Sequence, residues 1–276
     1  MKKIICLSLM IGMVIPAFAQ NQNFTINPPK KSRFISGMYI QWGWNNVWFT
    51  RSNIHFKLSN GDNFTLHNAK AHQRPGFYDI YKNPTQVSLP QYNYRVGFYL
   101  NEQHTRAIEI NFDHTKYVVT DGQTVHVTGT IAGKPVDQDM VVDPQTFLHF
   151  EHTDGANWLH INYVRQYPWV YSKKLKRNIL TYLWKAGAGI NIPRTDFTYH
   201  GDRLNNKFHV AGFNFGLEGG ARVYPFKIFF LEFTGKTGFV DYLDALANTK
   251  AMKGNRASQT FEYVEVIGTF GFDIKF

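Results

Sequence analysis

One cysteine, Cys6, is all that the 276 residues contain, which excludes a disulfide scaffold and a cysteine-rich metal site. Long apolar runs are missing too. Beyond the first twenty residues nothing approaches the roughly 18 consecutive apolar residues of a membrane-spanning helix. No apolar stripe at the helical period persists over three turns. There is no His-x-x-x-His pair for a helical zinc site, no GxxxxGK[ST] phosphate loop and no GxSxG nucleophile turn. Charged residues are sparse at 18%, whereas 16% of the chain is aromatic. So many rings exclude a disordered or low-complexity chain.

What apolar run there is stands at the start. Lys2 and Lys3 precede Ile4 to Pro16 (IICLSLMIGMVIP), and Ala17-Phe18-Ala19 follows as a small-x-small site. This is the layout of an export signal, with cleavage expected between Ala19 and Gln20. The stretch is shorter than the ~20 residues of a spanning helix. Cys6 lies early in it, not at its end where a lipoprotein cysteine would stand. Removing residues 1–19 takes two lysines, no acid and the cysteine, leaving 28 Lys+Arg against 20 Asp+Glu, so the net charge falls from +10 to +8. The domain division that follows is a leader 1–19, a short N-terminal periplasmic segment 20–34 with Pro28-Pro29, and a body 35–276.

In the body the recurring period is two. Met38, Ile40, Trp42 and Trp44 alternate with polar or small residues, as do Tyr92 to Leu100, Ile108 to Phe112, Leu159 to Tyr163, Leu180 to Ile192, Phe213 to Leu217, Phe229 to Phe233 and Val264 to Phe276. These eight segments each carry one apolar row opposite a row of glycine and charge. Several are longer than the ~5–6 residues of ordinary strands and suit the roughly 9–11 residues of a tilted strand crossing a bilayer. An apolar row facing lipid and a polar row facing inward is the pattern of a transmembrane barrel, which must close because unpaired backbone cannot face hydrocarbon. The links between segments alternate in length. Asn101–Thr105 and Tyr224–Lys227 are short, Pro168–Asn178 is medium and basic, and 50–91, 119–146, 195–206 and 241–257 are long. The fold class predicted is therefore all-β, a closed antiparallel transmembrane β-barrel of eight strands, with long extracellular loops and short periplasmic turns. Ten strands is the rival count, because Ile54–Leu58 and Phe64–Leu66 flank Asn60-Gly61 as a hairpin. That pair stands either above the membrane or within the barrel.

The chain ends on Phe276, preceded at alternate positions by Ile274, Phe272 and Phe270. This resembles the C-terminal signature of Gram-negative outer-membrane β-barrels, whose last aromatic residue is read by the barrel assembly machinery. The resemblance implies residence in the outer membrane, contact with its lipid and lipopolysaccharide, and Phe276 as an assembly signal.

On the inward row the alternation places Arg95, Glu109, Asp113, Lys185, Glu218, Arg222, Glu232, Glu265, Asp273 and Lys275. Mixed signs predict an ion-paired plug, since a small barrel is filled by its own side chains and lone buried charges are costly. The glycines at 187, 189, 212, 216 and 220 are expected to make room for bulky neighbours. Trp42, Trp44, Trp48, Tyr92, Trp158, Tyr167 and Trp169 are expected in interfacial girdles.

Candidate chemistry centres on Phe150-Glu151-His152-Thr153-Asp154. It loosely resembles the His-x-Ser-Asn motif of outer-membrane phospholipase A and lipid A deacylase barrels, in which a serine two residues after the histidine is the nucleophile. His152 matches the histidine, while Asp154 stands where the serine would be and cannot replace it. His152 and Asp154 are thus the catalytic candidates of an acyl-hydrolase alternative, and a narrow channel or small-solute porin is a second alternative. His149, Glu151 and His160, around an expected hairpin tip at Thr153–Asn157, form a weak candidate metal set. Nothing in the sequence calls for a cofactor, and an exported basic chain is not expected to meet nucleic acid. The loop cations are expected to face phosphates of lipopolysaccharide or lipid headgroups. The function expected is structural or surface-interacting, with the long loops offered to ligands or partners.

Overall fold

The structure, a computed structural model, describes residues 35–82 and 90–276. The predicted leader 1–19 and the whole of segment 20–34 lie outside the described residues. In chain order the elements are β1 (Gly37–Phe49), β2 (Ser52–Lys57), β3 (Asn63–Ala69), β4 (Ala71–His72), a short helix α1 (Phe77–Lys82), β5 (Tyr92–Tyr99) and β6 (Arg106–His114). Then follow β7 (Tyr117–Val119), β8 (Thr124–Ile131), β9 (Lys134–Val141), β10 (Leu148–His152), β11 (Trp158–Ser172) and β12 (Arg177–Asn191). The last are β13 (Arg194–Tyr199), β14 (Asp202–Phe208), β15 (Gly212–Val223), β16 (Phe229–Leu246) and β17 (Arg256–Lys275).

Eight of these strands form a cylinder, in the order β1-β5-β6-β11-β12-β15-β16-β17, and β17 pairs back onto β1. The closing pair is antiparallel and unbroken from Gly37 opposite Lys275 to Phe49 opposite Tyr263. The eight segments read from the alternation are these eight strands, so the predicted closed barrel is observed and the count is eight. The short links join strands at one end, here called the turn end. All long connections leave from the other.

The barrel wall is apolar outside and polar inside. Along β17, Val264, Val266, Phe272 and Ile274 face out while Glu265, Thr269 and Asp273 face in. Such exposed rows are stable in hydrocarbon and unstable in water. Glycines allow the larger inward rings to fit. A side chain at Gly97 would overlap the ring of Tyr39, and one at Gly216 would meet the hydroxyl of Tyr263 and the end of Lys236. At Gly189, Gly212 and Gly220 the nearest atom is instead backbone of the neighbouring strand.

The long connections are not open loops. They fold into a cap of two sheets. One continues the barrel wall, with β2 pairing on the top of β17 and β3, β8 and β9 following in order. The other runs β14-β13-β10-β7-β4. The 54–66 hairpin therefore stands above the barrel and adds no strands to it. In the cap the alternation has the ordinary sense, apolar in and polar out. Ile54 and Phe56 are buried while Asn53, His55 and Lys57 are exposed. Phe56 is the centre of the sandwich core. Its ring stacks 5.4 Å from Phe64 and 5.4 Å from Phe197 and meets Phe150 edge-on at 5.3 Å. Two tight turns, Ala132-Gly133 and His200-Gly201, have positive φ at both residues, the condition for a two-residue hairpin. They join β8 to β9 and β13 to β14, and neither carries the Asn-Gly or Asp-Gly pair that announces such a turn.

Candidate functional site

Inside the barrel, successive inward positions on neighbouring strands fall at similar heights, and this brings distant charges together. Lys185 on β12 lies opposite Glu218 on β15, and Arg222 opposite Glu232 on β16. Across the bore, Lys185 reaches Glu232 at 2.8 Å, Glu109 at 3.0 Å and Glu218 at 3.3 Å. Arg95 bonds Glu218 at 2.6 Å, and Arg222 bonds Glu232 at 2.7 Å. Glu232 also accepts from Gln41, and Glu109 from the hydroxyl of Tyr39 at 2.7 Å. Nearer the cap, Lys236 bonds Asp113 and approaches His160 at 3.1 Å. Towards the turn end, Asp273 accepts from Tyr99 at 2.7 Å and Tyr224 at 2.9 Å, with Arg222 at 3.8 Å.

The structure thus brings Arg95, Glu109, Asp113, Lys185, Glu218, Arg222 and Glu232 into one buried, cross-linked core. Glu265 is equally buried, but neither of its oxygens has a hydrogen-bond partner among the described residues. Asp273 is half-buried at the lower edge of the network, and Lys275 is exposed at the mouth. Sequence reasoning did not include Lys236, His160, Tyr39 or Tyr99. Lys236 faces in because the alternation of β16 continues past Phe233, with Phe233 and Phe239 both on the outward row.

The cap core packs onto the upper end of this network through Trp158, Tyr242 and Tyr263. Trp158 is fully buried at the rim, donates to the Tyr242 hydroxyl at 3.2 Å and packs 4.5 Å from Tyr263. It is therefore not part of a girdle. Tyr242 in turn donates to the carbonyl of Ala156. Trp48 and Trp169 are exposed on the outer surface. Phe276 is also exposed, its amide donating to the carbonyl of Ser36 at 3.2 Å.

The residues singled out for chemistry part company. β10 pairs with β13 and β7, and β11 with β6 and β12, so Thr153–Asn157 is a crossing from cap to barrel and not a hairpin tip. That crossing sends His160 into the barrel, away from His149 and Glu151. His152 is wholly buried among Tyr117, Phe150 and Tyr242, and neither ring nitrogen has a hydrogen-bond partner among the described residues. Burial holds its imidazole down at about 3. Asp154 instead sits at the surface with Arg194 at 3.2 Å and Asn205 at 2.7 Å. A general base needs a hydroxyl within hydrogen-bond reach, and His152 has none, so the expected catalytic pair is not assembled.

His149 and Glu151, two apart on β10, do converge at the cap surface. His149 donates to Asp121 at 2.8 Å and to Glu151 at 3.2 Å. Burial lowers the affinity of His149 for a proton, but these two acceptors outweigh it and raise its pKa. Burial likewise pushes Glu151 up, yet hydrogen bonds from His149 and Thr153, with the charge of Arg74, hold it at about 2. Among the described residues no group of His, Cys, Asp and Glu is arranged to hold a metal ion. This cluster is a charge network clamping β10 to its neighbours.

No protein-family model matches the chain, and no curated protein matches it in sequence. Solved structures similar to it include Neisserial surface protein A, 9% identical over 87% of this chain and 97% of that one, with a TM-score of 0.38. The outer membrane protein OprG from Pseudomonas aeruginosa is 13% identical over 88% of this chain and 97% of its own, with a TM-score of 0.43. Ail, the attachment invasion locus protein of Yersinia pestis, is 8% identical over 87% and 99%, with a TM-score of 0.34. The fold is that of a membrane-type β-barrel. For this chain that fold rests on its own register, closed through β1 and β17, and on the apolar outer belt.

Lengthwise, charge is distributed unevenly. The cap and upper rim carry thirteen Lys+Arg and thirteen Asp+Glu among residues 35–276. The bore holds four of the former and five of the latter. The turn end has eight cations against Glu102 and Asp273 alone. The expected loop cations are therefore balanced by acids, and the positive surplus of these residues lies at the turns.

Proposed function

We propose that the chain is an integral outer-membrane protein in which a plugged barrel anchors a folded extracellular cap, and that the cap is its working surface. The observation that carries this reading is the filling of the bore. Three cations and three carboxylates cross-link its middle, and the aromatic core of the cap seals the end above. Small barrels of eight strands are commonly packed shut in this way. The turn end, with both ends of the barrel-forming chain, is assigned to the periplasm by the usual asymmetry of turns and loops. The near-equal charges of the cap favour a partner recognised by shape and local hydrogen bonding over one held by a general positive field.

Reconstitution of the full chain into planar bilayers tests the plug. No conductance steps are expected, and discrete steps would overturn it in favour of a channel. The membrane reading is tested separately. The purified chain should require detergent and should migrate differently on gels before and after heating. A detergent-free soluble chain would sink it.

A further inference from the structure

A cavity of about 530 Å³ opens at the turn end, where no described residue covers the barrel mouth. One wall is the β11–β12 hairpin, whose Arg177 donates to the carbonyls of Tyr224 at 2.8 Å and Pro225 at 3.0 Å and so fixes it against the next turn. Lys176, Lys227 and Lys275 line the opening with exposed side chains and have no ion-pair partner among the described residues. Of the two acids in the lining, Asp273 is already occupied by two tyrosine hydroxyls and Arg222, and Glu102 is exposed at the edge.

A second observation points to a ligand. Gln166 lines the cavity at only 3% exposure, and its side-chain amide nitrogen is buried with no hydrogen-bond partner among the described residues. A buried donor left unmade costs free energy, and an acceptor in the cavity would satisfy it. The hairpin beyond carries exposed Trp169, Tyr171 and Leu175 beside Lys173 and Lys174. Amphipathic rings next to lysines sit at headgroup level, and lysines near an anionic leaflet are attracted to it.

We infer that this mouth is a binding site for a phosphate group, presented by an anionic phospholipid headgroup of the inner leaflet. Lys227, Lys275 and Lys176 neutralise the phosphate, and the Gln166 amide donates to an oxygen of the headgroup. The volume lies within the range of small-molecule sites. The assignment to the inner leaflet rests on the orientation given under Proposed function, whereas the phosphate chemistry does not.

The test uses the full chain in detergent micelles, with the side-chain amide resonances of Gln166 as the local reporter. Short-chain phosphatidylglycerol should shift them saturably, and short-chain phosphatidylcholine should not. The double variant Lys227→Glu/Lys275→Glu, both exposed, should weaken that binding about tenfold or more, given the contribution of each basic residue near an anionic surface. Lys250→Glu, on the cap, should leave it unchanged. Glycerol phosphate or inorganic phosphate binding as well as the lipid would overturn the lipid source. No saturable shift with any phosphate, or an equal shift with phosphatidylcholine, would overturn the site. Orientation is read independently by labelling Lys174→Cys on intact cells with an impermeant maleimide. Labelling there would overturn the inner-leaflet assignment while leaving the micelle result standing.

Discussion

The barrel and the cap are built from the same alternating strands with opposite insides. Strand β17 runs through both and shows where the sense reverses. In the barrel its outward residues are Val264, Val266, Phe270 and Phe272, and its inward residues include Glu265, Thr269 and Asp273. In the cap its outward residues are Ser258, Thr260 and Glu262, and its inward residues are Ala257, Phe261 and Tyr263, with Gln259 the one polar member of that row. Both faces exchange character within the same two residues, Glu262 and Tyr263. Strand β16 reverses nearby, with Glu232 and Lys236 inward below Val240 and Tyr242. Period two specifies a pleated strand with two unlike faces. Which face goes inward is decided by the medium outside, hydrocarbon below and water above.

The two interiors should therefore fail differently. The largest effect is expected from Glu232→Ala, which leaves Lys185 and Arg222 buried without their shared carboxylate. Removing one partner of a buried ion pair costs about 3–5 kcal/mol, so urea unfolding followed by gel mobility should show a much weaker barrel. A variant as stable as the wild type would remove the distinction between the two cores. Next, Phe56→Ala should cost the cap about 3 kcal/mol through lost ring burial and a cavity. The cap should then become open to protease while the barrel keeps its heat-dependent mobility. Simultaneous loss of both would mean that cap and barrel are a single cooperative unit.

A smaller effect depends on pH. Unfolded, the imidazole of His152 takes up a proton near 6.5, but in the folded cap only near 3. Between those values the unfolded chain binds more protons. The contribution of His152 to cap stability is thus complete above about pH 6.5 and is lost on acidification at up to roughly 1.4 kcal/mol per pH unit. Near-UV circular dichroism in detergent should show that slope, and His152→Phe should flatten it. An unchanged slope in the variant would place the acid sensitivity elsewhere. The smallest effect is expected from Asp154→Asn, which loses an exposed pair with Arg194 worth about 0–1 kcal/mol. A loss several times larger would return a structural weight to Asp154 that its surface position denies.

How far the sequence could be read follows from the same contrast. The barrel strands were legible because lipid imposes one rule along their whole length, and Arg95, Glu109, Asp113, Lys185, Glu218, Arg222 and Glu232 fell out of the alternation directly. The cap was not. Its strands are short, and its turns at Ala132-Gly133 and His200-Gly201 lack the usual residue pairs. Its pairing also joins segments far apart in the chain, as between His152 and Tyr117. His152 was a catalytic candidate because it matches the histidine of a His-x-Ser-Asn pattern, while its neighbours in space are the rings of Tyr117, Phe150 and Tyr242.

By itself, then, the sequence determined an alternating chain with an apolar outer row, eight long segments and a charged inner row. Periodicity is local and survives in one dimension. Only the tertiary structure decided that the long connections close into a sandwich, that Lys236 and Tyr39 complete the plug, and that Lys176, Lys227 and Lys275, unpaired among the described residues, line one mouth with Gln166. Those outcomes depend on which strands meet and at what register, and no single segment carries that information.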